Sequence, residues 1–171
     1  WYLLIITLFL YNINSFSQIS LDKFDVNKNR IITSKEIFIN TSSFLNVSYR
    51  LINIVDVNNN NTYYIQLCII GNNKSKVYSK GNKLLLKMKD GTIIELLNQK
   101  NVGLGNYEGL AARINYLLNR EDIERLLNGK VIKMRIEDDS NYSDIKIKRN
   151  TFSKKFKKTY DAIQGINEYT S

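Results

Sequence analysis

The chain of 171 residues carries 25 Lys and Arg against 16 Asp and Glu, a formal net charge of +9. It has no His and one Cys, Cys68, which excludes Ser-His-Asp and Cys-His nucleophilic sites, His-ligated zinc and any internal disulfide. An apolar fraction of 43% is enough to bury a core. The positive charge favours polyanionic glycans, nucleic acid or anionic membrane surfaces as partners, unless it is only a solvated, Lys-rich surface.

Residues 1–11 (WYLLIITLFLY) form an uncharged apolar run, well short of the roughly 20 residues that cross a bilayer. Ser15 and Ser17 place small side chains third and first before Gln18, where signal peptidase accepts only short ones. The expectation is a secretory signal over 1–17, truncated at its start because neither an initiator Met nor a basic segment precedes the run. A single mature domain over 18–171 follows, without a membrane-spanning segment. No repeat and no linker-like break divides it. Asn, Ile, Lys and Tyr are abundant and Pro is absent, as an AT-rich coding sequence would produce, so the Asn runs carry little functional weight here.

Asp25, Asn27, Asn29 and Glu36 match positions 1, 3, 5 and 12 of a calcium-binding loop, with Ile32 at the apolar position 8. Arg30 stands where such a loop needs Gly, and Ile37-Phe38-Ile39 after it reads as strand. The segment is therefore read as a polar turn between strands, with no metal assigned.

Stretches 47–55 and 62–70 are apolar, β-branched and aromatic, and predict a hairpin closed by a polar loop around Asn58–Asn61. Cys68 lies in the second stretch, where both faces are apolar, and reads as buried packing. Asp90-Gly91, between 83–89 and 92–97, is the strongest short-range hairpin signal, since Gly91 can take the positive φ of a type I′ turn. A two-residue loop there would place Leu84, Leu86 and Met88 on one face with Ile93 and Leu97. Gly103, Gly105 and Gly109 miss the spacing of a dinucleotide-binding loop.

Residues 107–118 alternate loosely as a strand. Asn119 then caps a helix with Glu121 and Asp122 at its positive end, an Ile123/Leu126/Leu127 stripe, and Gly129 as the C′ stop. Strand 131–137 directs Ile132, Met134 and Ile136 inward, and 142–149 directs Ile145 and Ile147 inward. A four-residue loop between these strands sets Arg135 opposite Asp144. The last helix, 152–164, carries Phe152, Phe156, Tyr160 and Ile163 on one side. The basic run Lys146, Lys148, Arg149, Lys154, Lys155, Lys157 and Lys158 contains no acid. Lys154, Lys155, Lys157 and Lys158 on the opposite helix face are the candidate polyanion contacts.

The Ser-Phe-Ser-Gln stretch at 15–18, the hairpin within 80–97 and the strand-helix-strand unit over 107–136 resemble small exported proteins of unassigned function from gram-negative bacteria. The resemblance implies an address and a fold type, and no reaction. The expected fold is mainly β, bordering on α+β: an antiparallel β-sandwich or curled sheet with two short helices packed at one edge. The expected function is a non-enzymatic binding or envelope-associated module, secreted or periplasmic. It has no cofactor or catalytic residue, its expected partner is an acidic glycan or envelope component, and nucleic acid is not expected. The alternatives are a small carbohydrate-active hydrolase using two carboxylates such as Glu95 and Glu108, and a polyanion or membrane-surface binder acting through the basic terminal helix.

Overall fold

A computed structural model describes residues 18–39, 46–70, 77–103, 112–147 and 151–168. The signal expectation for 1–17 falls outside them, as do Glu108, Lys148 and Arg149. One sheet contains β1 (Ile19–Phe24), β2 (Arg30–Ser34), β3 (Ile37–Phe38), β4 (Asn46–Val55), β5 (Asn61–Ile70) and β10 (Ala112–Leu118). Its order is β1-β2-β4-β5-β10, with β3 also pairing β4. Alternation places Val47, Tyr49 and Leu51 on the same buried face as Tyr63, Ile65, Leu67 and Ile69, so β4 and β5 pair antiparallel along their full length.

The second sheet contains β7 (Lys83–Met88), β8 (Ile93–Leu97), β11 (Val131–Glu137) and β12 (Tyr142–Lys146), in the order β12-β11-β7-β8. A short ribbon pairs β6 (Val77–Tyr78) with β9 (Val102–Gly103). Two helices complete the described elements, α1 (Arg120–Asn128) and α2 (Thr151–Glu168). The fold is thus mainly β, with antiparallel sheets and two helices. None of the described helices is long and apolar enough to cross a membrane.

The sheets meet along β8 and β10, where Asn98 bridges Tyr116 and the Gln99 N–H donates to the Asn115 carbonyl at 3.1 Å. Away from that seam, α2 packs on the first sheet through β2 and β4, and its first turn also reaches the second. Phe152 packs on Tyr49 of β4 with ring centroids 4.8 Å apart and planes tilted by 33°, and Ser153 Oγ accepts from the Val131 N–H of β11 at 3.1 Å. Both residues are buried, so the helix contributes side chains to the core. It is also longer than its aromatic stripe predicted, because Ile166 extends the buried face by another turn.

Three expectations need correction. The β7–β8 loop has three residues: the Gly91 N–H donates to the Met88 carbonyl and the Met88 N–H to the Thr92 carbonyl. Only Gly91, at φ +92°, is left-handed there, as in a type I turn closed by a bulge. The added residue pairs Leu86 with Ile94 and Leu84 with Leu96. Ile94 and Leu96 therefore enter the core while Ile93 and Leu97 face solvent, since a one-residue slip reverses every side chain. In β11, a register shift between Val131 and Lys133 buries Val131 in place of Ile132. Gly129 is extended, at φ −103° and ψ 179°, so the helix stop is not left-handed.

The expected helix cap and cross-strand ion pair are present. Asn119 and Asp122 form a reciprocal capping box. Arg135 grips Asp144 with Nε at 2.7 Å and its second nitrogen at 2.9 Å, while Lys133 Nζ lies 2.6 Å away. These cations, Arg135 first, hold the Asp144 carboxyl far below the ordinary carboxylate range. A depressed carboxylate stabilises the fold fully above its unfolded value of about 4, and the benefit disappears as pH falls toward its folded value. Asp144→Asn should therefore cost about 1 kcal/mol or less at pH 7, as is usual for a solvent-exposed pair. Urea midpoints of the two proteins should converge as pH drops below 4. A gap that stays constant to pH 2 would remove the ion pair as its cause.

Candidate binding groove

Two hairpin loops share one sequence pattern and one conformation. Asp25-Val26-Asn27-Lys28-Asn29 joins β1 to β2, and Asp56-Val57-Asn58-Asn59-Asn60 joins β4 to β5. In each loop the Asp N–H donates to the fifth residue's carbonyl, at 2.9 and 3.1 Å, and the fourth residue's N–H donates back to the Asp carbonyl. The fourth residue is left-handed, Lys28 at φ +63° and Asn59 at φ +62°. The Asp Oδ1 accepts the N–H groups of the third and fifth residues, and its Oδ2 accepts the fifth residue's side-chain amide. The Asp side chain thus replaces missing backbone partners inside the turn. The Asn60 side-chain amide, followed by its backbone N–H, holds the Asp56 carboxyl below its usual value.

The repeated pentapeptide gives these Asn residues a structural role that an AT-rich coding bias alone does not explain. It accounts for Asp25 and Asn29, whose side chains are engaged within their own turn, and for Asn27, whose backbone N–H donates to Asp25 Oδ1. Glu36 lies beyond the far end of β2, about 15 Å of strand away. It accepts from Ser48 Oγ and from Arg50 at 3.2 Å, and the Ser48 hydroxyl is the main influence lowering its pKa. The structure therefore does not bring the four calcium-loop candidates together. No cluster of three or more metal-ligating acids or Cys occurs among the described residues. Cys68 is a free, buried thiol, pushed up in pKa by desolvation and then by Glu36.

Because Arg30 pairs with Val55 across β2 and β4, the twin loops stand side by side at one end of the sheet. Between them is a depression of about 410 Å³ lined by Phe24, Lys28, Arg30, Asn59, Asn61 and Asn167. Asn61 also lines a second depression of about 430 Å³ with Tyr63, Arg120, Glu124, Tyr160 and Gln164. The i, i+4 series on α2 explains why that helix reaches this place. Phe152, Phe156 and Tyr160 stack in succession at 6.3 and 6.4 Å, and Tyr160 meets Tyr63 of β5 at 5.4 Å. The next member, Gln164, donates to Tyr63 Oη at 2.7 Å. Burial, and then Tyr160, pushes the Tyr63 phenol up to about 12.

Asn61 is held from two sides. Its Oδ1 accepts Asn53 Nδ2 at 2.9 Å and Asn167 Nδ2 at 3.2 Å. Asn53 is completely buried, and its own Oδ1 has no hydrogen-bond partner. Arg30 is clamped by Asp22 at 2.6 and 2.8 Å, and Arg120 pairs with Glu124 at 3.1 Å.

Comparisons with protein-family models, curated proteins and solved structures gave no significant match. The groove must therefore be interpreted from its own chemistry. It presents side-chain amides, two aromatic surfaces, the ion-paired Arg30 and Arg120, and Lys28.

The remaining candidates lie elsewhere. Lys154, Lys155, Lys157 and Lys158 are exposed on α2, and Lys155 Nζ reaches the Phe38 carbonyl at 3.5 Å. Glu95 pairs with Lys83 at 3.0 Å on the outer face of the second sheet. The two depressions contain one carboxylate each, Asp56 in the first and Glu124 in the second. The sequence reading missed Asn53, Asn61, Gln164 and Asn167. Their only local signal is a polar residue interrupting an apolar period, at Asn53 in β4 and at Gln164 and Asn167 near the end of the helix.

Proposed function

We propose that the chain is an exported, non-enzymatic binding module, secreted or periplasmic, that takes an envelope component at the Asn61 groove. Asn53 carries this reading. A buried acceptor left unpaired costs about 1–3 kcal/mol, a cost that Leu at this core position would not incur. What the Asn53 amide accomplishes is to fix the Asn61 carboxamide at the junction of the two depressions. Retaining an unsatisfied buried group in order to preorganise a neighbour is the compromise expected at a binding site. The apolar run and the small residues before Gln18 support export.

Cells expressing the full chain should yield an envelope or medium product that begins at Gln18. In 15N-labelled product, the side-chain amide signals of Asn61, Gln164 and Asn167 should move when solubilised envelope polymers are added. A chain held in the cytosol with Trp1 retained would overturn the export half of the proposal. Amide signals indifferent to every envelope fraction would overturn the binding half.

A further inference from the structure

We infer that the groove's ligand is a neutral oligosaccharide chain lying across both depressions with Asn61 between its subsites. This rests on the groove being the binding site. The two depressions share Asn61, and Gln164 and Asn167, three residues apart on α2, line one each. The two depressions therefore adjoin at Asn61, an elongated arrangement that suits a chain better than a compact metabolite. Both depressions are open to solvent, whereas pockets for small apolar ligands enclose most of the ligand surface.

The lining matches sugar chemistry. The internal hydrogen bonds use Asn61 Oδ1 and Gln164 Nε2, which leaves an Asn61 Nδ2 hydrogen to donate and Gln164 Oε1 to accept toward neighbouring ring hydroxyls. Phe24, 69% exposed at one end, and Tyr160, partly exposed at the other, offer flat apolar surfaces for the C–H face of a pyranose. Charge separates neutral glycans from acidic ones. The lining carries Lys28, Arg30 and Arg120 against Asp56 and Glu124, and Asp22, outside it, pairs with Arg30. With Asp22 counted, they balance one for one within a chain of net charge +9, so the groove offers no net attraction to a polyanion. With no His in the chain, nothing there is set to change charge near neutrality.

The test is calorimetric titration of the full exported product, followed by the Asn61, Gln164 and Asn167 amide signals. The probes are hexasaccharides of glucose, mannose and N-acetylglucosamine, with hexagalacturonate and a Gly-Ser hexapeptide as controls. At least one neutral hexasaccharide should bind, with its disaccharide about tenfold weaker or worse and with little change between 50 and 500 mM salt. Phe24→Ala and Asn61→Ala should each weaken binding about tenfold, about 1.4 kcal/mol. Asn53→Leu should weaken it similarly while leaving the melting temperature unchanged or higher, a combination that a purely structural Asn53 would not produce. Failure of all three neutral sugars, with amide shifts caused by hexagalacturonate or the peptide, would overturn the glycan assignment and leave the groove standing. Silence of those amides toward every probe and every envelope fraction would remove the groove as well. Normal affinity in Asn53→Leu with a lowered melting temperature would remove the positioning role of Asn53.

Discussion

Phe156→Ala is expected to lower the unfolding free energy by about 3–5 kcal/mol. Phe156 is completely buried at the middle of the aromatic series from Tyr49 through Phe152 to Tyr160 and Tyr63. The helix carrying it packs its buried face on the first sheet, so truncation leaves a void bounded by strands that cannot readily close over it. In a domain of this size, such a loss lowers the melting temperature by about 10 °C. Calorimetry or urea denaturation at pH 7 measures it directly. A loss below about 1 kcal/mol would show α2 to be a peripheral cover. The same substitution should loosen Tyr160 and Gln164, one and two turns further along α2, and so weaken ligand binding even where the protein remains folded.

Gly129→Ala should destabilise by about 1–3 kcal/mol, the usual cost of forcing extra volume into a packed site. Backbone freedom is not the reason, because φ −103° with ψ 179° is open to any residue. A Cβ at this position would strike Met88 Cε and stand 2.8 Å from the Arg125 carbonyl oxygen. Met88 can move its flexible end, but the Arg125 carbonyl is fixed by accepting the Gly129 N–H at 2.8 Å. Gly165→Ala in α2 is the matched control: a Cβ there meets nothing within 4 Å, and Ala should stabilise by about 0.5–1 kcal/mol. Opposite shifts in the urea midpoint at unchanged slope would establish steric approach as the difference. Stabilisation of both would mean that the end of α1 relaxes freely.

The β character, the paired strands, the Asn119 cap, the amphipathic last helix and the opposition of Arg135 to Asp144 were all determined by the sequence alone. Each depends on residues near in the chain or on a period that a single strand or helix imposes. The buried face of β8 was not, because one extra loop residue reverses it, and loop length is set by how the flanking strands settle in the sheet. The groove was less legible still. Its twin pentapeptides are visible in the chain, but they become neighbours only because β2 pairs with β4. Asn61 meets Asn167 across 106 residues, a contact made possible by packing α2 along the first sheet. Asn53 alternates correctly with the inward residues of β4, and only its burial without a partner separates it from an ordinary polar residue in a strand. The sequence determined which surfaces must be buried; the tertiary structure decided which polar groups are left facing one another once those surfaces close.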